Sequence, residues 1–421
     1  MGSGDLLFEA LPVGRPGAAK GVKAWAPTRA AGLDALRKFA PRAGRAYAAR
    51  RNYDFGPEDR SNVSALSPWL RHRILTEAET LEAILARHSA ETAEKFIQEV
   101  FWRGYFKGWL ERRPAVWAAY RAGVASDLDA LTTERRSAYQ AALAGRTGIE
   151  GFDDWARELV ETGWLHNHAR MWFASIWIFT LRLPWRLGAD FFLRHLMDGD
   201  PASNTLSWRW VAGLHTRGKT YLARRDNIAR YTEGRFSPAG LSPVAEPLDE
   251  APHPAAAPAP TGVTAPREPF GLLLTADDLH PESLRLAAPP AAVMALPSVE
   301  GRSPLAVGAC AADFEAAALA DAATRAAARF GVAAETGTDD WGDALVGWAA
   351  RANLSAIAVA RPPVGPAAER LAAAAPALRE AGVALYPVMR RYDELVWPHA
   401  HKGFFAVKKK IPHLLDELGL T

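Results

Sequence analysis

The sequence predicts an α plus α/β protein in which an all-helical domain comes first and a smaller, Rossmann-like α/β domain comes last. Residues 1–239 carry apolar side chains at helical spacing, with breaks at prolines and glycines. Residues 240–268, with APHPAAAPAP at their centre, lack core-forming side chains and are typical of an extended linker. In residues 269–421 short apolar runs alternate with alanine-rich stretches, which predicts a mainly parallel sheet and a C-terminal helical tail.

The strands and helices of the second domain follow from that alternation. Neither a Walker A loop nor a GxGxxG turn after a strand occurs, so no nucleotide motif is assigned there. The predicted strands are Gly271–Thr275, Ala292–Leu296, Leu305–Ala309, Ala356–Ala360 and Val383–Pro387. The predicted helices are Ala311–Arg329, Trp341–Arg351 and Ala367–Ala381.

Composition excludes several classes of protein. Cys310 is the only cysteine, which excludes disulfides within the chain and cysteine-ligated iron–sulfur clusters and predicts a reducing, cytoplasmic location. The longest apolar stretch, near Met171 to Leu181, is too short to span a bilayer. We therefore expect no membrane partner.

Charge and tryptophan are unevenly distributed along the chain. Residues 1–240 hold 35 Lys and Arg against 26 Asp and Glu, a net charge of +9, whereas the remainder holds 15 against 21, a net charge of −6. Twelve of the 15 tryptophans also lie before residue 241. This half suits a flavin and a polyanion such as DNA, although a solvated basic surface is an equal alternative. The basic clusters are 42–51, 112–113, 135–136, 224–230 and 408–410.

Residues 162–210 place polar groups within an aromatic frame. Asn167, Arg170 and Met171 share one side of a predicted helix. A following loop with Asp198, Asp200 and Asn204 supplies a partner for Arg170 and the acceptors that a flavin ring needs. The loop could instead be a solvated turn or a metal loop, but no EF-hand spacing follows it. His166 and His168 lack the further ligands of a zinc site, so we expect no metal.

The motifs GWLHNHARM, PWRLGADFF, DGDPASN and WRW resemble those of the cryptochrome and photolyase family in order and separation. The resemblance implies non-covalently bound FAD in the helical domain. It also implies an Arg170–Asp198 ion pair beside the flavin ring, Asp200 accepting from a flavin N–H, and Asn204 at flavin N5. An uncharged Asn there fits the photolyase version of the family.

The segment RNYDFGPEDRSNVSALSPWL predicts a helix that starts at Ser67 as N-cap and Pro68 in its first turn. Most such helix starts bind nothing. Similarity to the family pattern TSRLSPYL implies, however, that the residues matching it help to hold the FAD phosphates. Val63 and Ala65 depart from the pattern, which leaves the individual phosphate contacts open. The matching residues are Tyr47, Ser64, Leu66 and Ser67.

The helix FIQEVFWRGYF sets Glu99 and Arg103 four residues apart, which alone predicts only an ion pair within the helix beside a core tryptophan. It resembles the family motif ELxWRxFY. That likeness implies that Glu99 and Trp102 face a damaged pyrimidine pair and that Arg103 lies at the flavin. By the same resemblance Asn167, Met171 and Trp210 contact the lesion. Asn167 also lies at the flavin and favours cyclobutane dimers over six-four photoproducts.

Two tryptophans match the inner members of the family's electron-transfer chain. Trp208 corresponds to the member nearer the flavin and Trp185 to the next, although lone tryptophans are more often core residues. No third member stands at a persuasive position. The region where it would lie offers Trp117, Tyr120 and Tyr139.

The resemblance therefore implies a blue or near-ultraviolet light-driven enzyme of the deoxyribodipyrimidine photolyase type. Such an enzyme repairs cyclobutane pyrimidine dimers in ultraviolet-damaged DNA by electron transfer from excited reduced FAD. The alternative is a cryptochrome-like sensor that signals to a protein partner without repair. A third possibility is a flavoprotein that has lost its light chemistry, or a flavin domain tethered to an unrelated α/β module. Family members usually carry their α/β antenna domain first, so the order here indicates a circular permutation. A second, antenna chromophore is possible but has no identifiable motif.

Overall fold

The computed structural model of the chain describes residues 25–267, 269–337 and 340–420. The first 24 residues, predicted as the start of the helical domain, lie outside these ranges. Helices fill the chain as far as residue 231: α1 Arg29–Phe39, α2 Arg45–Arg50, α3 Ser67–Arg71, α4 Glu77–Leu85, α5 Glu94–Glu111, α6 Pro114–Asp129, α7 Thr133–Leu143, α8 Phe152–Thr162, α9 Asn167–Ser175, α10 Trp185–His195, α11 Pro201–Val211 and α12 Arg225–Tyr231.

Local sequence explains the helix starts that matter most for the site. The His166 ring accepts a hydrogen bond from the His168 N–H and so caps α9, which continues into a π-helical turn at Ile176–Thr180. Asp200 caps α11 by accepting from the Ser203 N–H at 2.8 Å, with Pro201 in the first turn. Both caps belong to segments with predicted site residues.

The second half of the chain contains a five-stranded sheet whose strands are all parallel, in the order β3-β2-β1-β4-β5. Its strands are β1 Gly271–Thr275, β2 Ala292–Leu296, β3 Ala334–Thr336, β4 Ala356–Ala360 and β5 Ala384–Val388. The accompanying helices are α13 Ala309–Phe330, α14 Trp341–Arg351 and α15 Pro366–Glu380, followed by α16 Arg391–Val396, α17 Phe405–Lys408 and α18 Ile411–Glu417.

One predicted strand was wrong. Residues Leu305–Ala309 form no strand, because the segment turns on the Ser303 hydroxyl and Ala309 already begins α13. The third strand is instead Ala334–Thr336, a three-residue edge strand that lies partly exposed and lacks the apolar run on which the prediction relied.

The C-terminal tail packs on α5 through two glycines. A Cβ on Gly104 would lie 2.8 Å from the ring of Tyr392, and one on Gly108 would lie 2.8 Å from the Trp397 backbone. Tyr392 and Trp397 are both buried. The last helices therefore belong to the same core as the helical half.

Residues 240–267, called the strap from here on, contain no helix or strand in the described structure and cross the surface of the helical half. The Leu248 N–H donates to the Ala212 carbonyl at 3.0 Å, and the Ala257 N–H donates to the Arg112 carbonyl at 2.9 Å. Backbone hydrogen bonds thus fix its course. Across the described residues, no helix combines the length and apolar character that crossing a bilayer requires.

We predict that Gly108→Ala lowers the free energy of unfolding by about 1–3 kcal/mol, since the new methyl group would press on the Trp397 backbone. Denaturant titration measures the change. The matched control is Gly347→Ala in α14, where the nearest atom is 3.4 Å away on the flexible Arg351 side chain. The control is expected to be neutral or stabilising. Equal behaviour of the two variants would contradict close packing of the tail.

Candidate flavin site

The loop before α11 carries the first element of the site. Asp198 accepts a hydrogen bond from Arg170 Nη2 at 2.8 Å, and its side chain is only 2% exposed. Burial raises the pKa of Asp198, but the charge of Arg170 and hydrogen bonds from Arg170 and Ser67 outweigh it, so the pKa lies below its ordinary value. The expected pair between α9 and this loop is therefore present as an ionised carboxylate beside a guanidinium.

Asp200 lies in the same loop and is also ionised. Burial raises its pKa, but the charges of Lys107, Arg71 and Arg103 lower it to about 2. The Lys107 Nζ and Arg71 Nε atoms lie 4.0 Å and 3.9 Å from Asp200 Oδ1. Asn204 follows on the first turn of α11, where its side-chain amide donates to the Ala189 carbonyl at 2.8 Å.

Two cationic groups of α5 face these carboxylates with unused hydrogen-bonding capacity. Lys107 Nζ and Arg103 Nη1 are buried and have no hydrogen-bond partner. Buried donors without partners are costly, so these atoms are suited to acceptor oxygens of a bound polar molecule. A flavin, which carries carbonyl and phosphate oxygens, fits this donor set. Within the described ranges, no three His, Cys, Asp or Glu side chains are grouped as metal ligands.

The residues predicted at the phosphates lie around α3. The Leu66 N–H donates to Ser64 Oγ at 3.4 Å, and Ser67 Oγ accepts from Trp164 Nε1 at 2.9 Å. The predicted N-cap role of Ser67 was wrong, since α3 is a short helix that begins at Ser67 and is preceded by Leu66 without a side-chain cap. The Tyr47 ring packs against the Phe96 ring in a T-shaped arrangement, with 5.5 Å between the ring centroids.

The predicted lesion-facing residues are more accessible than those of the flavin loop. Asn167 is exposed, Met171 is half-buried, and the Glu99 side chain is 36% exposed. Glu99 forms an ion pair with Arg51 of the segment after α2, rather than the pair with Arg103 that helical spacing suggested.

The two tryptophans predicted to face the lesion, Trp102 and Trp210, each have an aromatic neighbour. Trp102 stacks on Phe404 of the C-terminal tail, with 3.7 Å between ring centroids and 12° between planes. Trp210 stacks with Tyr221 at 5.7 Å, and the Tyr221 hydroxyl lies 3.2 Å from His168 Nε2. One face of Trp102 is thus covered by the chain itself.

The two predicted electron-transfer residues are both buried, Trp185 at the start of α10 and Trp208 on α11. Trp208 fits against α10 only because Gly188 has no side chain: a Cβ there would lie 2.3 Å from the Trp208 ring. Gly188 lies one turn after Trp185. Both tryptophans are therefore held by the same stretch of helix.

The three aromatic residues considered for a third position lie on two different routes. Tyr120 lies 5.9 Å from Trp185, and Trp117 lies 5.3 Å from Tyr120, between ring centroids. A second route leads from Trp208 to Trp177 at 6.2 Å and on to Tyr139 at 6.0 Å. These positions could not be ranked from sequence, because the contacts of Tyr120 with Trp185 and of Tyr139 with Trp177 join separate segments of the chain.

Several residues of this region had not been predicted. Lys107 stands four residues after Arg103, so helical spacing could have found it. Arg51, Tyr221 and Phe404 offered no such signal, since each reaches the site from a distant segment. The same holds for Glu250 of the strap, which accepts a hydrogen bond from Trp185 Nε1 at 2.9 Å.

Comparisons with known proteins point to the same cofactor. Residues 96–238 match the family described as the FAD binding domain of DNA photolyase. The deoxyribodipyrimidine photo-lyase of Streptomyces griseus is 35% identical over 196 residues, which cover 42% of this chain and 41% of that protein. Its namesake from Alkalihalophilus pseudofirmus is 32% identical over 168 residues, which cover 38% of this chain and 33% of that protein.

Among solved structures, a bacterial class III photolyase from Agrobacterium tumefaciens is 26% identical, with a TM-score of 0.40. The match covers 52% of this chain and 48% of that one. The chain thus spans less than half the length of the curated relatives it matches. The helical half contains an FAD-binding domain.

The cap of α9 predicts a pH dependence of stability. Burial, as the largest cause, lowers the pKa of His166 to about 4, and its Nδ1 must stay unprotonated to accept from the His168 N–H. Because the pKa in the folded state lies below the ordinary value of His, this contribution is full above about pH 6.5 and is lost as the pH falls towards 4.

We expect His166→Asn, which keeps a capping acceptor that cannot be protonated, to lose less stability than the parent between pH 7 and pH 5, by roughly 1–2 kcal/mol. Denaturant titrations at both pH values measure this difference. His413→Asn, at an exposed position of α18, is the control. An unchanged pH slope in His166→Asn would contradict the neutral cap.

Proposed function

We infer that this chain, whose residues 96–238 match the FAD binding domain of DNA photolyase, belongs to the cryptochrome and photolyase family. We propose that it is a deoxyribodipyrimidine photolyase that repairs cyclobutane pyrimidine dimers in ultraviolet-damaged DNA. FAD held by Arg170, Asp198 and Asp200 would, when reduced and excited by blue or near-ultraviolet light, supply the electron that opens the dimer and accept it back. The protein's own residues hold the cofactor, receive the flipped base pair and keep water from the reacting groups.

One observation carries this proposal. The residues proposed to hold the cofactor are more buried than the residues proposed to contact the lesion, as a repair site requires. Arg170, Asp198, Asp200 and Asn204 form a polar, charged and largely buried group, as expected around a cofactor that stays bound. The proposed lesion-facing side chains are exposed in the case of Asn167 and half-buried in the others, so a substrate that enters from solvent can reach them. These are Glu99, Trp102, Asn167, Met171 and Trp210.

Helix α5 contributes residues to both proposed roles, cofactor binding and lesion binding. Arg103 and Lys107 direct unpartnered donors towards the carboxylates of the flavin loop and would bind acceptor oxygens of FAD. Glu99, one turn earlier, would accept hydrogen bonds from the N–H groups of a flipped pyrimidine pair. Asn204 would hydrogen-bond at the flavin ring without adding a charge. Tyr47, Ser64, Leu66 and Ser67 would hold the phosphates.

DNA binding is part of the proposal, through the basic clusters of the helical half and the lysines at 408–410. We also infer that the α/β half is the family's antenna-type domain in permuted order, with its boundary at the strap. Its all-parallel sheet in the order β3-β2-β1-β4-β5 supports that interpretation. A cytoplasmic location and a second chromophore belong to the same proposal.

The second candidate is a cryptochrome-like light sensor that signals to a partner protein. The stacking of Phe404 on Trp102 favours it, because an aromatic ring of the chain already covers one face that a base could use. Departures from the family pattern at Val63 and Ala65 are compatible with a sensor as well.

The test is repair of a thymine-dimer oligonucleotide by the reduced, purified protein in light and in darkness, with its absorption spectrum recorded beforehand. We expect bound flavin and light-dependent loss of the dimer. Glu99→Gln should slow repair by about tenfold or more, since it removes a charged acceptor of similar size. Glu94→Gln on the same helix is the control, because Glu94 pairs with Lys95 and Lys408 at the surface.

The other outcomes separate the candidates. Flavin that is reduced under blue light without loss of the dimer would favour the sensor. Full repair by Glu99→Gln would remove that residue from the lesion site. Purified protein that contains no flavin and binds none on reconstitution would contradict the site itself.

A further inference from the structure

The strap brings one carboxylate against a residue of the proposed electron-transfer chain. Glu250 Oε1 accepts from Trp185 Nε1 at 2.9 Å, and the same carboxylate forms ion pairs with Arg186 and Arg209. The Arg209 Nη1 atom lies 2.6 Å from Glu250 Oε2. Trp185 itself is buried.

Both arginines also face the indole ring of Trp185. The guanidinium carbon of Arg186 lies 5.2 Å from the ring centroid, and that of Arg209 lies 5.6 Å away. Two positive charges at this range oppose the removal of an electron from the ring, because oxidation leaves a positive charge on the indole. Asp127 pairs with Arg186 at 3.3 Å. Glu250 pairs with both cations and also accepts the indole N–H, so its charge offsets that effect at the ring.

Glu250 is ionised in this arrangement. Burial raises its pKa, but the hydrogen bonds from Trp185 and Arg209 and the charges of Arg209 and Arg186 outweigh it, so the pKa lies below its ordinary value. The neighbouring Asp249 is in a different environment: its side chain is 93% exposed and pairs with Arg217 at the surface. The strap thus offers adjacent carboxylates in opposite environments.

We propose that Glu250 is a positioning residue that makes Trp185 oxidisable, so that Trp185 passes an electron to Trp208 during light-driven reduction of the bound flavin. This rests on the proposed function. Trp208, oxidised in the light reaction, gains one electron and Trp185 loses one. The Trp185 N–H stays hydrogen-bonded to Glu250, and a soluble thiol reductant then returns the electron to Trp185.

The rival route leaves Trp208 through Trp177 to Tyr139 and does not involve the strap. The two routes differ in their dependence on Glu250. Removal of its charge should slow electron transfer through Trp185 and leave transfer through Trp177 unchanged.

The experiment compares the full-length protein with Glu250→Gln and the matched control Asp249→Asn. We expect Glu250→Gln to slow blue-light reduction of the flavin by a thiol about tenfold, with unchanged flavin content and unchanged dimer repair after chemical reduction. Asp249→Asn should behave as the parent does. In flavin-free protein labelled with ¹⁵N-indole, the Trp185 N–H resonance, assigned with Trp185→Phe, should shift only in Glu250→Gln.

A double variant tests the charge argument directly. Adding Arg186→Gln to Glu250→Gln removes one cation from the ring and should restore part of the rate, which loss of a merely structural contact would not do. If Glu250→Gln fails to fold, Glu250→Asp keeps the charge and should lie close to the parent rate.

Parent-like photoreduction in Glu250→Gln or in Trp185→Phe would overturn the proposal and favour the Trp177 route, with the proposed function intact. No recovery in the double variant would also overturn it. A parent protein that binds no flavin would instead overturn the proposed function, and the electron-transfer role of Glu250 with it.

Discussion

A row of buried charges between the two halves is the interaction on which the rest of the structure depends. Arg71, the last residue of α3, and Arg73, two residues later, are both buried. Arg71 pairs with Asp277 just after β1, while Arg73 bonds to Asp393 of the tail at 2.6 Å. A buried guanidinium deprived of its partner costs several kcal/mol. The helical half therefore needs the carboxyl edge of the sheet, and neither half is electrostatically complete alone.

One of these buried charges, that of Arg71, also contributes to the flavin site. Arg71 Nε donates to the Gly199 carbonyl at 2.9 Å, within the loop that carries Asp198 and Asp200, and its charge helps to keep Asp200 ionised. The position of this loop thus depends on a residue whose other partner is in the sheet. A site built on α9 and α11 by local sequence is held in place by a contact between distant parts of the chain.

Whether a feature could be predicted from the sequence depends on how far apart along the chain the interacting residues lie. The bounds of β1, β2, β4 and α14 were confirmed because buried parallel strands and amphipathic helices leave periodic signals within a few residues. The pairing of Arg170 with Asp198 was predictable from a recurring motif. The pairing of Glu99 with Arg51, the Phe404–Trp102 stack and the Glu250 contacts were not, since each joins segments that share no local pattern. The strap lacks core-forming residues, so its sequence did not indicate that Glu250 contacts the buried Trp185.

The helical half and the tail contact the carboxyl ends of the central strands, where a ligand of the α/β half would be expected. In parallel sheets of this strand order, ligands usually occupy the crevice at the carboxyl ends of the two central strands. Here Asp277 and Asp278, after β1, are engaged by Arg71 and Arg390. The Val364 N–H, after β4, donates to Glu111 of α5. Since the helical half and the tail engage both sides of this crevice, it serves to join the two halves.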